Sequence, residues 1–382
     1  MTVEVSASEA RGTEAVRTPA APVDSYARDI ARGLDRAFES EDTETQTLDL
    51  ADARLIVFSD HHRGSRDGAD DFLRCEQAYQ AALGYYLEAG HRLFAVGDVD
   101  ELWECPPGAV LEAYVDTLAL EAEFHKDGRL ERFWGNHDDS WRSQEDVEKL
   151  LGKQFPKLEI REALKVEVTD GGERKGLLFF AHGHQGTKES DRFAWFSKAV
   201  VRHVWRPLQR RLNMASTTPA RDFELRQRHD VAMFSWASRR PERPVLIAGH
   251  THRPIFWTSR PPEAESPESV AQELERLRSE GAEPEALAEV RARLEFLQAK
   301  TRRSDKAALA IDPPCYFNTG CCSFGDGDVT GLELVGGEIR LVRWPDDDDR
   351  PRPKILARAD LREVFAVVSA GSSREHLDDG GR

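Results

Sequence analysis

RLIVFSDHH, residues 54–62, is a continuous apolar run that stops abruptly at Asp60-His61-His62. A short unbroken apolar run is the mark of a strand buried on both faces. The same construction recurs along the chain. Arg92–Val96 runs into Gly97-Asp98-Val99-Asp100, and Leu130–Trp134 into Gly135-Asn136-His137-Asp138. Gly176–Ala181 runs into His182-Gly183-His184, and Val245–Ala248 into Gly249-His250-Thr251-His252. Strands of α/β sheets carry functional groups at their carboxyl ends, so these segments are expected to converge. Asp carboxylate, Asn carbonyl and His imidazole together suit divalent Mn, Fe, Co or Zn. Cysteine is missing from all of the segments, which disfavours a structural zinc site. Two such ions held ~3.5–4 Å apart can clamp a phosphoryl group during in-line displacement.

Between these runs lie helical patterns at Asp70–Ala89, Ala109–Lys126 and Trp141–Leu151, and the alternation predicts an α/β sheet rather than a bundle. Tyr26, Ile30, Leu34 and Phe38 give a further helix the spacing of one apolar face. Residues 1–22 read as a disordered tail, 23–345 as the main domain and 346–382 as a polar C-terminal extension. Val329–Val335 and Glu338–Trp344, joined by Gly336-Gly337, predict a hairpin. The formal net charge of −16 argues against a chain devoted wholly to nucleic acid. No apolar run approaches the ~18 residues of a membrane span. No basic, then apolar, secretory start is visible, and the cysteines lack C-x-x-C spacing, so a cytoplasmic setting with reduced thiols is expected.

The order D-x-H, G-D, G-N-H-D, H-G and G-H-x-H resembles that of the calcineurin-like metallophosphoesterase superfamily, over roughly residues 53–345. The resemblance implies a four-layer α/β/β/α sandwich with a helical cap insertion, two divalent metal ions with manganese foremost, and hydrolysis of a phosphoester or phosphoanhydride by a metal-bridging hydroxide. It implies that Asp60, His62 and His252 bind one metal, that Asn136, His182 and His250 bind the other, and that Asp98 bridges them. His137 would stand over the phosphate as general acid, with Asp138 orienting its ring. His61 either joins the site or points to the other face of its strand. His184 either contacts substrate or supports a ligand. Asp60-His61-His62 is also similar to the DHH phosphoesterases. That family needs further Asp segments upstream, where this chain has the tail and one helix.

The branch and substrate are less determined. Gly97–Trp103 lacks the arginine that phosphoprotein phosphatases place after G-D-x-x-D. G-D-x-x-E-x-W and Gly249–Pro254 resemble the UDP-2,3-diacylglucosamine pyrophosphatases, but those have G-N-R-D where this chain has Gly135-Asn136-His137-Asp138. Arg253 follows the last segment as a candidate substrate contact. Residues 191–237 form a first insertion, in which Arg202 and Arg206 are candidate substrate contacts. Within it, 192–212 interleaves arginines with Phe193, Trp195, Phe196 and Trp205. Three readings stay open for this stretch. It is a cap with a solvated basic face, a lid guiding a phosphorylated small-molecule or lipid-linked substrate, or an interfacial helix at the inner face of a membrane. Nucleic acid is disfavoured by the overall charge. A second insertion, 263–300, is charged and helical, and nothing in it selects a protein partner.

Overall fold

The computed structural model describes residues 25–67, 70–187, 219–256, 267–279, 287, 315–325, 327–346 and 352–378. The N-terminal tail, the basic stretch 192–212 and most of the second insertion lie outside the described residues.

Among the described residues, thirteen strands form two mixed sheets. The first has the order β13-β12-β11-β2-β3-β4-β5. One side of it is the parallel set β2 (Arg54–Phe58), β3 (Arg92–Val96), β4 (Leu130–Phe133) and β5 (Ile160–Arg161). β11 (Val329–Val335), β12 (Glu338–Trp344) and β13 (Lys354–Asp360) extend it antiparallel. The second sheet has the order β1-β6-β7-β8-β10-β9. It comprises β1 (Thr45–Asp49), β6 (Ala163–Asp170), β7 (Glu173–Ala181), β8 (Val245–Ala248), β9 (Pro254–Phe256) and β10 (Tyr316–Thr319).

The unbroken apolar run of β2 follows from its place between two layers. Leu55 and Val57 turn toward the second sheet, while Ile56 and Phe58 turn toward helices. The rings of Phe94 on β3 and Phe180 on β7 meet across the sheets at 4.8 Å. Helices α2 (Glu76–Glu88), α3 (Pro107–Ala113), α4 (Val115–Lys126) and α5 (Gln144–Leu151) cover the outer face of the first sheet. Ser143 caps α5 by accepting from the Asp146 N–H at 3.2 Å. On the other side, α1 (Ser25–Glu39) and α6 (Pro219–Arg239) cover the second sheet, where Phe38 meets Phe179 and Trp236 at 5.0 and 5.8 Å. The expected α/β sandwich of two sheets between helical layers is thus the fold observed. From the second insertion, α7 (Pro267–Ser279) is described.

The C-terminal extension departs from expectation. Lys354–Asp360 pairs with β12. The following helix α8 (Leu361–Asp378) buries Leu361, Val364, Phe365 and Val368 in the same core as the sheets. β13 is an edge strand with mostly exposed residues, so its sequence lacks apolar alternation. The helix did carry a signal, since 361, 364, 365 and 368 share one face. Phe365 lies directly over Gly176 of β7. Replacing Phe365 with Ala should therefore cost about 3–5 kcal/mol in urea unfolding. A loss below about 1 kcal/mol would make the segment an appendage instead.

Candidate metal centre

Parallel pairing puts the carboxyl ends of β2, β3 and β4 side by side, and those of β7 and β8 likewise in the other sheet. The segments that follow must turn sharply to face one another. Asp60, His62, Asp98, His250 and His252 all adopt positive φ, between 49° and 69°. That backbone region costs a non-glycine residue about 1–3 kcal/mol and persists only where surrounding contacts impose it. Glycine is required beside them. A Cβ at Gly135 would collide with the Asp98 carboxylate, and one at Gly249 with that of Asp60.

The structure gathers the expected ligands into two groups. Asp60, His62 and His252 form one and Asp98, His182 and His250 the other, the candidate ligand atoms in each lying within 4.8 Å of one another. His252 Nε2 is 3.3 Å from Asp60 Oδ1, and His182 Nε2 is 3.1 Å from Asp98 Oδ2. Asp98 Oδ2 also lies 3.9 Å from His62 Nε2, so its carboxylate faces both groups. Asn136 Oδ1 is buried and lacks a hydrogen-bond partner among the described residues, as a metal-ligand oxygen would without its ion.

Tautomers favour the same reading. His182 Nδ1 donates to the Val96 carbonyl at 2.9 Å, which leaves Nε2 to face Asp98. His62 Nδ1 stands 3.3 Å from Glu101, and its Nε2 faces His252 Nε2 at 3.1 Å. Two imidazole nitrogens so placed need a proton or a cation between them. Burial would raise the Asp98 carboxyl, but His182 and His137 hold it well below its usual range. Against burial, Asp98 and Asp60 push His182 up to about 9. Burial, with His229 and His182 nearby, holds His250 well below the ordinary imidazole value. A divalent cation bound among these carboxylates and imidazoles would displace protons from the ligand nitrogens.

His137 is gripped by the segment after Asp98. Its Nδ1 meets Glu101 Oε2 at 2.6 Å, its carbonyl accepts from the Leu102 N–H at 3.1 Å, and its ring stacks on Trp103 at 4.3 Å. Burial opposes its charge, but Glu101 and Asp98 push it up to about 10. Glu101, despite burial, is brought down to about 2 by His137. This corrects the role expected of Asp138. Its carboxylate accepts from the backbone N–H groups of Gly135, Asp98, Val99 and Asp100, with the Gly135 and Val99 contacts at 2.6 and 2.9 Å. Tight turns leave backbone donors to satisfy, and Asp138 is spent on them. The orienting carboxylate is Glu101, which sequence reasoning had in view only as part of G-D-x-x-E-x-W.

The remaining candidates divide. His61 packs between Phe72 and Tyr79, on the helix side of β2 and away from the groups. His184 is buried 5.4 Å from the ring of His182. Arg253 was expected at the substrate. It pairs with Asp230 of α6 at 3.1 Å. Arg202 and Arg206 lie outside the described residues.

Two supporting residues escaped sequence reasoning, because they sit inside a long helix without a motif. His229 donates from Nε2 to the Gly183 carbonyl at 2.7 Å, accepts from the Tyr26 hydroxyl at 2.9 Å, and lies 4.8 Å from the His250 ring. Asp230 Oδ1 accepts from Thr251 and Tyr316 at 2.8 and 2.9 Å. Asn318 on β10 completes this clamp by donating to the Gly249 carbonyl at 2.6 Å.

No family model and no curated protein matches the chain. Among solved structures it is similar to the calcineurin-like phosphoesterase YfkN from Bacillus subtilis. The identity is 10% and the TM-score 0.30, over 85% of this chain and 98% of that one.

Replacing Asp230 with Ala should weaken Mn²⁺ binding by about 10–100-fold in calorimetry. Arg253→Ala should act in the same direction, since it removes a charged partner of Asp230. An unchanged affinity in Asp230→Ala would show that the ligand loops hold their shape without α6.

Proposed function

We propose that this chain is a dinuclear metal-dependent phosphohydrolase acting on a phosphoester or phosphoanhydride. One observation carries the reading: two ligand groups share the face of a single carboxylate, Asp98, and His137, held by Glu101, stands beside it. Asp60, His62 and His252 would hold one cation, and Asn136, His182 and His250 the other, with Asp98 between. The donor set fits Mn, Fe, Co or Zn, and manganese is our first choice. When bound, two such cations supply an activated water and neutralise phosphoryl charge.

The protein's own residues supply the rest. His137 keeps its Nδ1 proton on Glu101, which leaves Nε2 to donate to a leaving oxygen. Glu101 favours the charged ring, and stacking on Trp103 fixes its plane while favouring the same charge. Glu101 also reaches His62, so the acid and one ligand group share an anchor. The sequence resemblance supports the same assignment.

Turnover of p-nitrophenyl phosphate and bis-p-nitrophenyl phosphate with Mn²⁺ is the direct measurement. Asp98→Ala should abolish both turnover and metal binding. His137→Ala should lower kcat by about 10²–10⁴-fold while bound manganese stays constant. Loss of metal in His137→Ala would overturn its assignment as the acid. Metal binding with no turnover of either ester would sink the enzymatic reading.

A further inference from the structure

Next to the second ligand group lies a cavity of about 240 Å³. Asn136, the ligand proposed to join that group, lines it, whereas His137, Glu101 and His62 do not. The acid and its anchor thus stand outside this cavity, and a phosphoryl group held over the two ligand groups would have room to send a different substituent to each.

The lining is polar and balanced in charge. Arg36 from α1 and Arg142 are exposed cations at the rim, and Glu162 and Asp139 face the same space. With two cations against two carboxylates, the cavity does not select a second phosphate. The His184 ring is buried, and its Nδ1 has no partner among the described residues. A buried polar atom needs a partner, so an acyl chain there would leave His184 unsatisfied. The Trp134 ring offers no free platform for a base, since the Arg142 guanidinium lies 5.0 Å over it and His184 meets it at 5.1 Å. What fits is an uncharged group with both donors and acceptors, and hydroxyls are such groups. The volume falls below the ~300–1,000 Å³ of pockets that take drug-sized ligands, so the group is small.

We propose that this cavity binds a neutral, hydroxyl-rich substituent of the substrate's phosphoryl group, a small polyol or a single sugar. The inference rests on the phosphohydrolase reading and narrows it to a diester or anhydride, because a monoester has no second substituent to place there. In the reaction, the oxygen of water bonds to phosphorus and the bond from phosphorus to the leaving oxygen breaks. That oxygen takes a proton from His137. The product that stays behind is the polyol monophosphate.

Calorimetry on the Mn²⁺-loaded full chain tests this with inorganic phosphate, ethyl phosphate, butyl phosphate, pyrophosphate and glycerol 3-phosphate. Glycerol 3-phosphate should bind about tenfold tighter than ethyl phosphate, as two or so satisfied hydrogen bonds would give. Arg36→Ala, at an exposed position, and Glu162→Gln should each shrink that difference and leave inorganic phosphate affinity unchanged. Equal binding of glycerol 3-phosphate and ethyl phosphate would overturn the proposal. So would a larger gain for pyrophosphate, which marks an anion subsite, or for butyl phosphate, which marks an apolar one. Failure of inorganic phosphate to bind would overturn the phosphohydrolase reading together with the subsite, which separates the two failures.

Discussion

Two carboxylates and several imidazoles are confined together in a nearly dry space, and much else in the structure is arranged to tolerate that. Asp60 and Asp98 are almost wholly buried. Ionised carboxylates are stable there only if opposite charge or hydrogen bonds surround them. Asp60 accepts the His250 N–H, and Asp98 the His137 N–H at 2.8 Å. These bonds require the chain to bring backbone amides inward, and the positive φ angles at five of the candidate ligands are the result. Strain, glycine and buried charge are therefore aspects of one demand.

A second layer of buried charge anchors the first. Asp100 binds Arg63 at 3.0 Å and also Arg132 and Trp141, while Arg63 reaches Glu121 at 2.9 Å and Glu121 accepts from Tyr79. Arg63, Arg132, Asp100 and Glu121 are all buried. Such networks add little net stability compared with apolar packing, but breaking one partner is costly. Their value here is positional. Asp100 lies between Asp98 and Glu101, so fixing it fixes the carboxylate shared by the ligand groups and the one that holds His137.

The sequence was most legible where one residue type does one job. Continuous apolar runs located β2, β3 and β8 to the residue, since strands buried on both faces have no polar positions to blur their ends. The ligands were legible because few uses other than metal binding bring Asp, Asn and His to the ends of so many strands. Supporting residues were harder to read. Asp138 and Glu101 are both carboxylates beside a motif histidine, and only the turn geometry decides which one backbone amides consume. Arg253 follows a ligand segment, but its partner Asp230 is remote in sequence. β1 and β6 were not singled out, because polar residues, exposed in β1 and half-buried in β6, interrupt them. The exposed edge strand β13 was misread for the same reason.

Each ligand group takes residues from both sheets. Asp60 and His62 come from the first and His252 from the second, and Asp98 from the first joins His182 and His250 from the second. Neither group can form until the sheets have packed, with Phe94 against Phe180. A cation that binds the assembled groups and not the open chain must stabilise the packed state by mass action. Cation binding and sandwich closure are then thermodynamically one equilibrium. α1 and α6 belong to it as well. Tyr26, His229 and Asp230 join the outer helical layer to the loops that carry His182, His250 and His252. Any force that displaces α6 must act on those ligands, so α6 is mechanically continuous with the candidate metal centre.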